Sequence, residues 1–263
     1  MTIELDYGLE LTNNSKVGWA FSLPRHKSCI DATAICKRLC YGNGIRYQSV
    51  SQKDKRERNY KTAEFLLSHG GPTLLAENLL MTVDLARPRD WLTAKITNTT
   101  TVVPWTLRIH DIGDFYSVDY VNAWFSVIQN RPECSFWFYT RSFINQEMFT
   151  ALTRLASLQN CQGWLSVDSD NYEKAILAKC TAAEIWKLAL LQDKDLPQEV
   201  LPRLRESVGA SEIVSFPYHR SGHHVVPLRD KVLTVCPAVT GFYELQSDKN
   251  APRPCQLCTF CLP

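Results

Sequence analysis

The middle of the chain alternates apolar segments with helical segments at a regular spacing. Leu107, Phe136 and Trp164 occupy equivalent positions in three successive apolar segments and lie 29 and 28 residues apart. A βαβ unit takes about 30 residues, and helices that alternate with strands favour parallel pairing of those strands. The sequence therefore predicts an α/β fold built on a parallel sheet, as either an open sheet or a partial barrel.

The predicted elements extend this alternation over most of the chain. Strands are predicted at residues 17–22, 105–110, 135–140, 163–167 and 212–216. Helices are predicted at residues 53–69 and 73–86, at about 118–128 and 146–158, from 172 onward, and in a longer helical stretch at 181–207. We divide the chain into one domain over residues 1–230 and a short cysteine-rich extension over residues 231–263.

The composition is that of a globular protein. Of the 263 residues 45% are hydrophobic and 21% charged, which excludes a disordered tail or a coiled coil. The net charge of +2 gives no argument for nucleic acid by itself. No apolar run of about 18 residues is present, and the first residues lack the apolar core of a signal peptide. We expect a cytoplasmic protein without a membrane span, in which thiols stay reduced.

The ten cysteines form two clusters, with others placed singly between them, and clusters in a reducing compartment indicate metal binding. The C-terminal cluster, Cys255, Cys258 and Cys261, has C-x2-C-x2-C spacing, which is typical of iron–sulfur ligation. Cys236, followed by a proline, is the natural fourth ligand. Zinc bound by four thiolates is the competing interpretation.

The N-terminal cluster, Cys29, Cys36 and Cys40, has C-x6-C-x3-C spacing and follows the first predicted strand. Three thiolates would leave one coordination position of a cubane open for a substrate, a cofactor or another ligand such as His26. The alternative is that Cys36 and Cys40, one helical turn apart, are packing residues of a helix.

Polar residues follow four of the predicted strands. They are Arg108, His110 and Asp111, then Thr140 and Arg141, then Ser166 and Asp168, and then His219. In parallel α/β folds the loops after the carboxyl ends of the strands form the active-site face. We therefore expect some of these side chains to act at a site, although strand ends are often polar without any such role.

Two further patterns are candidates for binding. His219, His223 and His224 form the histidine cluster of the chain, either as metal ligands or as a solvated loop. The segment 53–61 carries five basic and two acidic residues, which suits either a nucleic-acid surface or an exposed helix face.

Several segments resemble the phage and plasmid "gene product 88" family. They are FSLPRHKSCIDATAICKRLCYGNG, LRIHDIGDFYSVDYVNAWFSVI, FWFYTRSF, GWLSVDSDN, VCPAVTG and CQLCTFC, in this order over most of the chain. More distantly, the layout resembles the radical SAM superfamily, in which a strand leads into a three-cysteine loop. The usual spacing there is C-x3-C-x2-C, shorter than in this chain.

The resemblance implies a partial (βα)6 TIM-like barrel with a [4Fe–4S] cluster at Cys29, Cys36 and Cys40. It implies that S-adenosylmethionine could chelate the open iron of this cluster, with Gly113, Asp114 and Ser166 as cofactor-binding residues. It also implies an auxiliary cluster at the C-terminal cysteines, which are Cys236, Cys255, Cys258 and Cys261.

Two classes of function follow from these observations. In the first, the chain is a radical-SAM-like enzyme acting on nucleic acid or a nucleotide, and His110, Asp114, Arg141 and Asp168 position the substrate. In the second, it is a non-catalytic iron–sulfur or zinc protein that binds nucleic acid or a protein partner, and the metals are structural.

Overall fold

The computed structural model of the protein describes residues 8–86, 105–192, 196–208, 212–217, 234–236 and 253–263. Within these residues the sheet consists of β1 (Leu11–Asn14), β2 (Gly18–Phe21), β3 (Trp105–Ile109), β4 (Cys134–Thr140), β5 (Cys161–Val167), β6 (Trp186–Gln192), β7 (Ile213–Pro217) and β8 (Thr234–Val235). The helices are α1 (Arg25–Ser28), α2 (Ala34–Leu39), α3 (Val50–Leu85), α4 (Val118–Gln129), α5 (Gln146–Ala156), α6 (Tyr172–Thr181), α7 (Val200–Val208) and α8 (Pro254–Cys258).

The strands lie in the sheet in chain order, from β1 to β8. β1 pairs with β2 in antiparallel orientation, and every later neighbouring pair is parallel. The α/β class and the mostly parallel sheet are thus confirmed. The described sheet has seven parallel strands, where the sequence pattern predicted five strands and the resemblance implied six. Its edge strands β1 and β8 do not pair with each other, so the described sheet is not closed.

The helices cover one face of the sheet. Consecutive parallel strands joined by right-handed crossovers place their connecting helices on the same side. The strand residues on that side, such as Leu107, Phe136 and Phe138, are fully buried in one large core with residues of α3 to α7. The ring of Trp124 in α4 lies 5.5 Å from that of Phe21 in β2, edge to face. This core fixes the strands whose ends carry the candidate site.

The long α3 consists of two helical segments, as predicted. Gly71, with φ of 64° and ψ of −162°, interrupts the helical geometry, and Pro72 follows it. The break falls between the predicted helices at 53–69 and 73–86, because a proline lacks the amide donor that a continuous helix requires. None of the described helices combines the length and the apolar character needed to cross a bilayer.

The opposite face of the sheet, here called the inner face, is covered in part by the C-terminal residues. Trp137 of β4 and Trp164 of β5 are buried there against Cys255, Phe260 and the segment that follows it. The indole N–H of Trp164 donates to the carbonyl oxygen of Cys261 at 3.2 Å. The described part of the cysteine-rich extension therefore packs directly on the sheet.

Candidate metal centre

The N-terminal cysteine loop begins one short helix after β2. Cys29 follows α1, and Cys36 and Cys40 lie within α2 and directly after it. Thr33 is the N-cap of α2, and its Oγ1 accepts a hydrogen bond from the Cys36 amide at 3.0 Å. This cap sets where the helix starts, and it thereby sets the position of two of the three thiols.

The three thiols of this loop are half-buried and act on one another electrostatically. Burial raises the pKa of the Cys29 thiol, and the neighbouring Asp114, Cys36 and Cys40 raise it further. Burial also raises the pKa of Cys36, while the guanidinium of Arg141 lowers it. The three predicted N-terminal ligands thus influence one another's pKa, but they are not placed so that together they could hold a metal ion. Bound metal would favour their thiolate forms, which burial alone disfavours.

The turn after β3 holds the loop against the sheet. Gly113 has a φ of 99°, and a Cβ at this position would lie 2.7 Å from Leu23 Cβ and 2.8 Å from Ser28 Oγ. The amide of Asp114 donates to Ser28 Oγ at 3.3 Å, and the amide of Leu23 donates to the Ile112 carbonyl at 2.8 Å. Only glycine permits this close approach, so Gly113 determines how near the residue before Cys29 lies to β3.

Asp114 is a buried carboxylate with its oxygens already engaged. It accepts hydrogen bonds from Thr140 Oγ1 at 2.7 Å, the Phe115 amide at 2.8 Å and the Arg141 amide at 2.8 Å. Burial raises the pKa of Asp114 to about 6. The hydrogen bonds lower this pKa, but by less than burial raises it. Asp114 therefore joins the turn after β3 to the end of β4.

Asp168, fully buried at the end of β5, connects three parts of the site. Its Oδ2 accepts from Thr33 Oγ1 at 2.7 Å and from the Arg141 guanidinium at 3.2 and 3.3 Å. Its Oδ1 accepts the amide of Asp170, whose own Oδ2 accepts the amide of Ile35 in α2 at 3.2 Å. Thr33, Asp170 and Ser28 were not among the predicted site residues, because a threonine, aspartate or serine in a loop carries no distinctive sequence signal.

Arg141 is the cation of this site. Burial lowers its pKa, but the neighbouring Cys36, Asp168 and Asp114 raise it by more, so the guanidinium stays charged. Asp168 fixes the guanidinium, and the positive charge of Arg141 lowers the pKa of Cys36. Ser166, two residues before Asp168 in β5, is buried, and its carbonyl oxygen accepts from Asn171 Nδ2 at 3.0 Å.

His110 lies apart from this group. It has a φ of 64°, it is 2% exposed, and its ring packs between Phe115 and Tyr120. Its Nε2 pairs with the Tyr120 hydroxyl at 2.9 Å. Burial and the positive charge of Arg108 lower its pKa to about 3, which keeps the ring neutral. Its surroundings are those of a packed core residue.

The four C-terminal cysteines also act on one another electrostatically. They are Cys236 after β8, Cys255 and Cys258 in α8, and Cys261. Burial raises the pKa of Cys255 to about 11, with Lys16 and Arg108 lowering it and Cys236 and Cys258 raising it. Burial raises the pKa of Cys261 to about 12, with the Tyr139 hydroxyl lowering it and the other three thiols raising it.

The donor chemistry of both groups suits iron–sulfur clusters. Thiols are soft ligands that select iron–sulfur clusters, zinc or copper(I) over hard cations. Within the described part of the chain, no group of three or more His, Cys, Asp or Glu side chains is placed so that it could hold a metal ion. The histidine candidates His219, His223 and His224 lie outside the described residues.

The basic segment 53–61 is largely neutralised in its surroundings. Lys55 and Arg58 pair with Glu10 at 3.1 and 2.6 Å. Arg56 is buried and donates to the Tyr47 carbonyl at 2.6 Å. Lys61 lies 3.9 Å from Glu57, which also pairs with Lys27. This segment therefore resembles a solvated helix face with internal ion pairs.

Comparison with known proteins gives the family. A sequence model described as Gene product 88 matches residues 5–262. The Gene 88 protein of Mycobacterium phage L5 is 34% identical over 168 residues, and that of Mycobacterium phage D29 is 32% identical over 166 residues. Both alignments cover 62% of this chain, which spans 63% and 62% of the lengths of these curated relatives. No solved structure matches the chain. Because the family match extends over nearly the whole sequence, the chain belongs to the Gene product 88 family.

Proposed function

We propose that this protein is an iron–sulfur protein with radical-SAM-like architecture. In this proposal the sheet curves as a partial TIM-like barrel, and a [4Fe–4S] cluster with one open iron binds at Cys29, Cys36 and Cys40. A second, auxiliary cluster binds at the C-terminal thiols, which are Cys236, Cys255, Cys258 and Cys261. The observation that carries the proposal is the spacing of the cysteines, C-x6-C-x3-C at residues 29–40 and C-x2-C-x2-C at residues 255–261. Within each set the thiols raise one another's pKa, although in the described part of the chain they are not placed to hold a metal ion.

In such a site the cluster and the side chains of the protein would supply different parts of the chemistry. A bound cluster with an open iron supplies electrons and a coordination position for a small ligand, with S-adenosylmethionine as the proposed ligand. Arg141 would bind the anionic part of the incoming ligand, because Asp168 fixes its guanidinium and its positive charge acts on Cys36. Asp114 and Asp168 act as positioning residues, because the hydrogen-bond donors of the chain itself occupy their carboxylate oxygens.

The proposed substrate is nucleic acid or a nucleotide. Residues 32–53, which contain two of the three N-terminal cysteines, include four basic residues and no acidic residue. Lys37 is exposed on α2, and Tyr41, 53% exposed, offers an aromatic face beside it in sequence. Positive charge together with an accessible aromatic ring suits phosphates and bases.

The alternative is a non-catalytic protein in which iron–sulfur clusters or zinc are structural. It is favoured by the backbone hydrogen bonds of two C-terminal cysteines, which join distant parts of the fold. The Cys255 amide donates to the Lys16 carbonyl at 3.1 Å, and the Cys236 amide donates to the Ser215 carbonyl at 3.1 Å. A metal held there would join the β1–β2 hairpin to β7 and β8.

Anaerobic purification followed by iron, acid-labile sulfide and zinc analysis tests the proposal. We expect iron and sulfide in near-equal amounts, and the Cys36→Ala, Cys40→Ala double variant should lose about half of both. The Cys134→Ala, Cys161→Ala variant is the matched control, because these two buried thiols lie on the helix-covered face. Zinc without sulfide would contradict the iron–sulfur proposal and favour the structural alternative.

A second measurement separates an enzyme from a scaffold. Adding S-adenosylmethionine to the dithionite-reduced protein should alter the EPR signal of the N-terminal cluster and release 5′-deoxyadenosine. The Arg141→Lys variant keeps the positive charge but loses the planar guanidinium, which donates two hydrogen bonds to Asp168. We therefore expect weaker binding of S-adenosylmethionine, with the cluster retained. An unchanged EPR signal in the iron-loaded wild-type protein would refute the enzymatic proposal.

A further inference from the structure

Arg25 and Arg56 place two positive charges near the carboxyl end of β2. Arg25 is the first residue of α1, and Arg56 lies in the first part of α3. The two helices contact each other beside these arginines, where Lys27 forms an ion pair with Glu57. Asn59 of α3 donates a hydrogen bond at 3.0 Å to the backbone directly after β2. The start of α3 is therefore packed against both α1 and the end of this strand.

Both guanidinium groups are withdrawn from water. Arg56 is 6% exposed, and its Nη2 donates to the Tyr47 carbonyl oxygen at 2.6 Å. Arg25 is half-buried, and its Nη1 is a buried donor without an acceptor in the described part of the chain. A buried donor ordinarily has an acceptor, because leaving a charged group unpaired away from water costs free energy. Arg25 Nη1 is therefore suited to an acceptor that the described chain does not supply.

The negative charge around these groups does not fully compensate them. Asp111, 4% exposed, acts on Arg56 and also on Arg108, so one carboxylate serves two guanidinium groups. Burial lowers the pKa of Arg56, and the positive charge of Arg25 lowers it further. Asp111 and Tyr47 raise this pKa, but by less, so the net result is a lowered pKa. An additional anion would stabilise this part of the protein.

We infer that Arg25 and Arg56 bind a phosphate group of the substrate. A phosphate brings negative charge and several acceptor oxygens, and a guanidinium matches it with a planar set of N–H donors. It would accept from Arg25 Nη1 and add the negative charge that Asp111 alone does not provide. The inference deepens the proposed function, because it rests on the proposed nucleic-acid or nucleotide substrate, but it requires no bound metal.

An aromatic ring beside this site favours a nucleotide phosphate over inorganic phosphate. The ring of Tyr41 lies 5.7 Å from that of Tyr47, edge to face, and the carbonyl of Tyr47 accepts from Arg56. Tyr41 is 53% exposed, so a base attached to the bound phosphate would stack on it from the solvent side.

Isothermal titration calorimetry of the full-length protein at constant ionic strength tests the inference. The probes are inorganic phosphate, ATP and a short oligothymidylate, which share the phosphate and differ in what is attached to it. The variants are Arg25→Gln and Arg56→Gln. Lys61→Gln is the matched control, because it removes one positive charge from the same helix at a side chain that is 74% exposed. Circular dichroism verifies that each variant is folded.

We expect ATP or the oligothymidylate to bind more tightly than inorganic phosphate, and Arg25→Gln to weaken that binding about tenfold or more. Lys61→Gln should weaken it less than threefold. Arg25→Gln leaves the hydrogen bond from Arg56 to Tyr47 in place, so it decides the question if Arg56→Gln does not fold. Equal affinities of Arg25→Gln and Lys61→Gln, or no binding of any probe, would overturn the inference. Iron and sulfide in the same preparation would then leave the iron–sulfur proposal standing, whereas arginine-dependent binding without iron and sulfide would overturn only that proposal.

Discussion

Replacing Gly113 with alanine tests whether the turn after β3 holds the N-terminal cysteine loop in place. The added Cβ would lie 2.7 Å from Leu23 Cβ, 2.8 Å from Ser28 Oγ and 3.1 Å from the Leu23 carbonyl oxygen. Overpacking of this kind costs about 1–3 kcal/mol. A side chain at positive φ adds about 1–2 kcal/mol. We therefore expect Gly113→Ala to lower the free energy of unfolding by about 2–5 kcal/mol in total.

Gly71→Ala is the matched control for this prediction. Gly71 also has a positive φ, 64°, but a Cβ there would meet no atom within 4 Å. The Gly71→Ala substitution should therefore lower the free energy of unfolding only by the backbone strain, about 1–2 kcal/mol. Urea unfolding followed by circular dichroism gives both differences from the shift in midpoint, provided that the slope is unchanged.

The two variants should also differ in metal content. Ser28 immediately precedes Cys29, so relief of the clash at Gly113 moves the first thiol of the loop away from β3. We expect Gly113→Ala to bind less iron than Gly71→Ala after identical anaerobic reconstitution. Equal stability and equal iron content in the two variants would refute the close contact described here.

Three further predictions concern buried polar and thiol groups. Asp168→Asn removes the charge that holds Arg141 and should destabilise the protein by about 3 kcal/mol, because loss of one partner leaves a partly buried charge uncompensated; thermal unfolding beside wild type checks this, and an unchanged melting temperature would contradict it. His110 has a folded pKa of about 3, below the unfolded value of about 6.5, so its contribution to stability is lost as pH falls below about 6.5. Between pH 7 and pH 5 wild type should lose about 2 kcal/mol more than His110→Asn, measured by urea unfolding, and parallel losses would contradict the neutral buried ring. Cys161→Ala should lower stability by about 1–2 kcal/mol and leave iron content unchanged, because this thiol is buried in the helix-covered core; iron loss would mean that it is a ligand.

The strands that were predicted correctly are those with strong β-branched or aromatic character. β4, with the sequence CSFWFYT, and β5, with CQGWLSV, were each placed within two residues of their observed limits. β6, WKLALLQ, was assigned to a helical stretch, because leucine, alanine, lysine and glutamine all favour helices. Its place between β5 and β7, where most of its side chains are buried, overrides that propensity.

The two short strands missed by the sequence analysis have weak local signals. β1, LTNN, has three polar residues of four and derives its structure from pairing with β2 in a four-residue antiparallel register. β8 comprises only Thr234 and Val235. Such strands are determined by a partner elsewhere in the chain, which a local pattern does not contain.

The candidate site was likewise predicted only in part from the sequence. Cysteine spacing singled out the seven thiols as candidates, because closely spaced cysteines are a rare pattern. The hydrogen bonds that place them are made by Thr33, Ser28 and Asp170, whose partners lie up to 135 residues away. Tyr139 was likewise not identified, because alternation places it on the inner face but does not show that Cys261 lies opposite.

The packing of the C-terminal segment, residues 253–263, on the sheet has a consequence for biosynthesis. Arg253 Nη2 donates to Asn13 Oδ1 at 3.1 Å, which joins positions 240 residues apart in the chain. A ribosome adds about 5–20 residues per second, so roughly ten seconds or more separate the two halves of this contact. The N-terminal thiols and their surrounding strands therefore emerge well before the C-terminal ones. Until residues 253–263 have been added, Trp137 and Trp164 lack the packing partners that cover them in the folded protein.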